Sequence, residues 1–550
     1  MAINIRSMIF RFFIYIAFFA SGAASLIAEV TWNRMLIVVV GNSMTATAML
    51  IVVFMGGLGS GSYVGGKIFS KYRVSMIPYI LLETAIGVYV FLSPTLFAFL
   101  ARLFTSLAEN VDHRAGLTFM RLLVTMTALF LPAFLMGGTF PAIINGAAPK
   151  SPSLRTARTG YLYSINTIGA AIGCFAAGYH LLFEFGVQVT IACAAGLYGI
   201  AVLCAFIANR ITVTEVAGPE ITPVNKKEPA SVSLSLRRFL IIATFGIGFV
   251  ALSYEVLLTR LGILYLGNTV SVFPLVLTAF LLGTGTSAVL GTWLYGVVQR
   301  NMDNRLGLFG ITSLVAGFFV VITPYLLLTD WVLSTEEFAR FADAAPRNPL
   351  PILLIMIAPT MLIGALLPMA IRILQAAERE EATREASKLY ALNTIGGLVG
   401  AGLANHYLVP LVGLHGVIIF LALILTLIAY FSFFAPRRNS SWWSAVIIFT
   451  ALAVVLPKAT PEMMDLYAQK IAESTGARSS EVLLVHEGKT ATVAVLDQED
   501  PKKGSYRDMY LNGVEEASTR YWHTQLFKLL GILPVIPLNF HAFSVLPEPS

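Results

Sequence analysis

The chain has 550 residues, of which 57% are hydrophobic and 12% charged, with a mean hydropathy of +0.77, whereas a soluble domain is about a quarter charged. That balance excludes an ordinary water-soluble enzyme and describes a polytopic membrane protein. The formal net charge of +7 does not point to nucleic acid, because Lys and Arg stand in short clusters between apolar runs, where they orient helices in the bilayer.

The first apolar run, 9–31, follows Arg6 and Arg11 and contains the small residues SGAAS, as a signal peptide would. The matching stretch, Phe239 to Ser253, lies mid-chain, so the run is read as the first membrane helix. Further runs of spanning length, about 20 residues, fall near 44–68, 75–98, 117–146, 159–183 and 186–208. A polar linker, 210–238, carries Pro219, Pro223 and NKKEP. A second set follows near 239–259, 269–298, 306–329, 350–376, 386–410 and 412–435.

The second set repeats the first. SGAASLIAEVTWNRMLIVVVGN (Ser21 to Asn42) matches GIGFVALSYEVLLTRLGILYLGN, ending at Asn268. Glu29 and Glu255, Arg34 and Arg260, Gly57 and Gly283, and Gly65 and Gly291 all share the offset 255 − 29 = 226. Pro132 and Pro141 recur as Pro359 and Pro368, and YSINTIGAAIG (Tyr163 to Gly173) recurs as YALNTIGGLVG (Tyr390 to Gly400), at 390 − 163 = 227. Six spans per copy place both copies in the membrane the same way, so the expected fold is an all-α bundle of two parallel six-helix repeats, facilitator-like in plan. The units are 1–209, the linker 210–238, and 239–435.

Basic clusters after the even-numbered spans, such as Lys67, Lys71 and Arg73 or Arg379, Arg384 and Lys388, put both ends of the bundle in the cytoplasm of a cell with the protein in its inner or plasma membrane. A shorter apolar run, 441–457, is expected to be an extra thirteenth helix. If it crosses, the tail, 458–550, emerges outside the cytoplasm. That tail is expected to be a small β-rich module: a helical stretch at 462–473, strands in EVLLVHEG, KTATVAVLDQ and RDMYLNG, a tight turn at Asn512-Gly513, and a helix in ASTRYWHTQLFKLLGILP. Cys174, Cys193 and Cys204 lie within apolar runs and are expected to be small core residues, with no metal or disulfide spacing.

These segments, with the two NTIG motifs and the tail's HEGKTATVAVLDQ, YLNGVEEAS and LFKLLGILP, resemble the membrane-embedded spermidine synthase-like family. The resemblance implies a facilitator-like bundle fused to a polyamine synthase domain, an aminopropyltransferase that uses decarboxylated S-adenosylmethionine. In that family the LP segment leads into a glycine-rich strand-turn-helix and acidic catalytic residues. Here LPVIPLNFHAFSVLPEPS follows, with no glycine cluster after Gly531, so no cofactor site and no catalytic residue are expected in this chain. The tail is then a truncated amino-terminal β-module, and a separately encoded synthase domain, a second copy or an assembly partner remains an alternative, the last making the protein a scaffold.

Ionisable side chains inside spans are costly and usually pair or line a cavity. Glu29, Arg34, Glu255 and Arg260 are therefore the leading candidates for binding an organic cation of polyamine kind. The structural alternative is an ion-pair lock, Glu29 answering Arg260 and Glu255 answering Arg34. Glu83 has no acidic counterpart near Phe309 and is a candidate for a ligand or proton, or for a hydrogen bond to Asn166. Asn166 and Asn393 either line the cavity or bond between helices. Glycines four apart, Gly57-Gly61-Gly65, Gly169-Gly173 and Gly396-Gly400, are expected to let helices approach closely. Tyr521, Trp522 and His523 are expected to be a packing surface of the tail.

Overall fold

The structure, a computed structural model, describes residues 5–40, 44–69, 75–109, 114–146, 152–211, 234–266, 272–297, 302–329, 332, 349–375, 382–434, 463, 465–467, 469–470, 479–488, 492–500, 504–511, 514–519 and 525. Long helices dominate: α1 (Ile5–Val40), α2 (Met44–Phe69), α3 (Ile77–Ala108), α4 (Arg114–Gly146), α5 (Pro152–Ala176) and α6 (Gly186–Arg210), then α7 (Leu234–Leu266), α8 (Val272–Val297), α9 (Met302–Leu327), α10 (Leu350–Gln375), α11 (Ala382–Leu403) and α12 (Val409–Phe434). One π-helical turn, Ala177–Leu181, follows α5, and another, Ala404–Leu408, joins α11 to α12.

Nine stretches among the described residues have the length and composition to cross a bilayer, one of which, Lys388–Phe433, runs through both α11 and α12. Side chains such as Phe91, Ile242 and Leu411 are 66%, 69% and 76% exposed. Apolar groups on that scale face acyl chains rather than water. The chain is a multi-pass membrane protein, a helical bundle of facilitator-like plan with a small antiparallel sheet after it. Pro94, Pro132, Pro141, Pro324, Pro359 and Pro368 all lie inside helices, where the dry surroundings keep the rest of the helical ladder closed.

Glycine lets the helices touch backbone to backbone, and it does so identically in both halves. Gly22 lies against the Asn166 carbonyl, Gly169 against that of Phe19 and Gly173 against that of Ala23; Gly248, Gly396 and Gly400 meet the carbonyls of Asn393, Phe245 and Phe249. These are the same contacts one repeat later, so α1–α5 and α7–α11 superpose as pairs. Gly57, Gly61 and Gly65 seat α2 on Ala133, Phe134 and Gly138 of α4 in the same way. Between the halves, α5 packs along α8, with Gly178 against Pro274 and the Cys174 thiol donating to the Pro274 carbonyl at 3.4 Å. Cys174 and Cys204 are buried as expected, but Cys193 is exposed on α6, on a face turned away from the core.

The tail forms a four-stranded antiparallel sheet in the order β1 (Ser479–Glu487), β2 (Thr492–Asp500), β3 (Gly504–Leu511) and β4 (Val514–Ser518). Ala517 and Ser518, expected to open a helix, instead pair with β3 as part of β4, opposite Met509 and Asp508. VEEAS carries two carboxylates and no apolar alternation; pairing across a short connection to β3 is what makes it a strand. The Asn512-Gly513 turn, Tyr521, Trp522, His523, the run 441–457 and most of the last expected helix lie outside the described residues.

One face of the sheet is continuous with the core of the second half. Ala494, Leu496 and Tyr510 share a cluster with Tyr265 and Leu266 of α7, together with Met463 and Tyr467. Tyr265 and Tyr467 stack at 6.2 Å between ring centroids. The sheet therefore sits at the carboxy-terminal end of α7, the face opposite the start of α1. We call this the module face.

Candidate functional site between the two halves

α1 and α7 are equivalent helices on either side of the axis that relates the halves, so equivalent residues facing that axis meet. Glu29 and Glu255 do so. Each is 5% exposed, their charges act on one another, and both act on the Cys174 thiol of α5. Thr278 of α8, also buried, lies beside the same thiol. Among the described residues neither carboxylate has a hydrogen-bond donor or a cationic partner. Like charges on two buried carboxylates repel, and a site shut off from water screens that repulsion poorly. The pair is therefore a place that a positive group would relieve.

The expected ion-pair lock does not form. Arg260, 2% exposed, turns away from Glu29 and toward the module face. Its Nη1 donates to Asn405 Oδ1 at 3.3 Å and its Nη2 to the Gly488 carbonyl of the sheet. Arg34 does not answer Glu255 either; its Nη1 is buried and has no hydrogen-bond partner among the described residues. Five residues on a helix turn the chain about 140° beyond a full turn, so a glutamate on the axis and an arginine five places later point to different neighbours.

Glu83 lies in the first half, apart from the pair. It is fully buried, and its Oε1 accepts a 2.7 Å hydrogen bond from Ser21 Oγ of α1, while Oε2 has none. Its partner is thus Ser21, not Asn166. Tyr79, one turn earlier, donates to the Ala17 carbonyl at 3.3 Å, and the buried Tyr198 hydroxyl of α6 has no partner among the described residues. Asn166 bonds between helices, its Nδ2 donating to the Phe18 carbonyl at 2.9 Å, whereas the Asn393 Oδ1 is buried without a partner among the described residues. Trp32, beside the Glu29 turn, is held by its Nε1 donating to Ser93 Oγ at 2.8 Å. Ser21, Ser93, Asn405, Glu487 and Gly488 have no local mark in the sequence. Their partners are 61 to 228 residues away.

No protein-family model matches the sequence, and no curated protein matches it. Solved structures similar to it include the nucleoside transporter NupG, with a TM-score of 0.47, 12% identity, and coverage of 78% of this chain and 99% of that one. A POT family transporter in complex with a thioalcohol-conjugated peptide has a TM-score of 0.48 and 12% identity over 78% of this chain and 96% of that one. The E. coli fucose:proton symporter FucP has 0.42 and 13%, over 78% and 98%. Likeness at this level says nothing about what this chain binds.

Proposed function

We propose that the protein is a membrane transporter that binds an organic cation of polyamine kind between Glu29 and Glu255. The observation that carries this is the meeting of two buried carboxylates from symmetry-equivalent helices at the interface of the halves, without any donor or cation among the described residues to balance them. A site on the axis is where two rocking halves can both grip a ligand. A molecule with two ammonium groups complements two carboxylates. The polyamine class itself rests on the resemblance to membrane-embedded spermidine synthase-like proteins, whose β-module the tail resembles. In this reading the bundle lies in the inner or plasma membrane, its amino terminus is cytoplasmic and the module face looks outward.

The test is thermal unfolding of the purified protein in detergent with putrescine or spermidine against equal ionic strength of sodium chloride. The wild type is expected to be stabilised by the amine, and Glu29→Gln and Glu255→Gln are expected to lose that response. An amine response that survives in both variants, or is absent from the wild type, overturns the proposal.

A further inference from the structure

Glu487, the last residue of β1, and Gly488 after it reach onto three parts of the second half at once. The Gly488 carbonyl accepts from Arg260 of α7, and the same guanidinium donates to Asn405 in the Ala404–Leu408 π turn. The Glu487 carboxylate accepts the Leu414 backbone N–H of α12 at 2.5 Å, and its charge also acts on Arg260. Leu414 follows Gly413, which has φ +72°. A π turn and a left-handed glycine both interrupt the regular ladder of a helix, and such interruptions are where helices bend. The residues after Gly413 begin a new helical stretch with unsatisfied N–H groups. A carboxylate placed there satisfies one of them and complements the positive end of the helix. Glu487 is thus a cap supplied from the tail.

The first half has the same weak points and, among the described residues, no such cap. Ala177–Leu181 is its π turn and Gly186, with φ +71°, its left-handed glycine. α6 starts there with no side-chain cap hydrogen bond. The place of Asn405 is taken by Gly178 (405 − 227 = 178), which has no side-chain acceptor to offer. The place of Arg260 is taken by Arg34, whose Nη1 has no partner among the described residues. The two halves are built alike, and the tail ties down only one.

We propose that Glu487 and Gly488, at the end of β1, form a clamp that pins the module-face ends of α7, the Ala404–Leu408 turn and α12 to one another, so that when this face of the bundle opens, the matching ends of α1 and α6 are the ones that move. The proposal does not depend on which ligand the central carboxylates hold.

Hydrogen–deuterium exchange of the full chain in detergent tests it. In the wild type the amides just after Gly413 are expected to exchange about tenfold more slowly than those just after Gly186. Glu487→Ala is expected to erase that difference and to speed exchange at the end of α7, around Thr259 to Leu266, while α3 is unchanged. Glu487→Gln, which keeps an oxygen for the Leu414 N–H, is expected to retain most of the protection. Equal exchange after the two glycines in the wild type overturns the proposal. So does an effect of Glu487→Ala confined to the sheet, or a Glu487→Gln variant as exposed as the alanine one.

Discussion

Ser21 donates a 2.7 Å hydrogen bond to Glu83 across the α1–α3 contact, and the second half has nothing like it. The equivalent positions, one repeat later, are Ile247 and Phe309, both buried in the core. One half therefore closes this contact with a polar pair and the other with apolar side chains.

That difference makes the cost of the pair measurable. Ser21→Ala alone leaves a buried carboxylate oxygen without its donor and is expected to destabilise the protein by about 1–3 kcal/mol. Ser21→Ala combined with Glu83→Leu, which removes both partners, is expected to be close to neutral. Thermal unfolding in one detergent checks the order; a double variant worse than the single one would contradict it.

The central carboxylates predict a trade between stability and binding. With no amine present, Glu29→Gln removes the repulsion from Glu255 and is expected to stabilise the protein by about 0.5–2 kcal/mol, at the loss of its amine response. Unfolding curves of wild type and variant in amine-free buffer decide this. Destabilisation by the substitution would mean that the carboxylate is held by something other than its twin.

Arg34 and Arg260 are expected to part company on substitution. Arg260→Met strands the Asn405 and Gly488 acceptors in a buried site and is expected to cost about 3 kcal/mol or more. Arg34→Met removes a buried N–H that has no acceptor and is expected to be neutral or mildly stabilising. The same unfolding measurement on the two variants, side by side, tests the contrast.

Close helix contacts give a further pair. A Cβ at Gly169 would collide with the Phe19 carbonyl, so Gly169→Ala must push α1 and α5 apart, at about 1–3 kcal/mol. Gly196 and Gly199 on α6 have open space around them. Alanine at either is expected to be neutral or to stabilise by about 0.4–1 kcal/mol through the unfolded chain. Similar losses at all three positions would contradict the part assigned to the backbone contact at Gly169.

Much of the bundle was legible in the chain because its determinants are local or repeated. Runs of apolar residues mark the helices, and the 226-residue register (255 − 29) pairs Gly22 with Gly248 and Glu29 with Glu255 before any coordinates. The same register predicts that two glutamates facing the axis come together, but not which way an arginine five residues on will turn. The direction Arg260 takes is not legible, because its acceptors, Asn405 and Gly488, lie 145 and 228 residues later, and long-range pairing of that kind leaves no periodic trace. Cys193 was misplaced for a simpler reason: in a bilayer an apolar run continues around the whole helix, so hydropathy cannot distinguish the core side from the lipid side. β4 was missed because VEEAS is polar, and its strand character is conferred by the neighbour it pairs with.

The aromatic stack of Tyr265 on Tyr467, and the burial of Leu266 in one cluster with Ala494 and Leu496, have a practical consequence for anyone preparing this protein. Cleavage between the last long helix and the sheet would not release a passive appendage. It would uncover apolar surface at the end of α7 and on the facing side of the sheet alike.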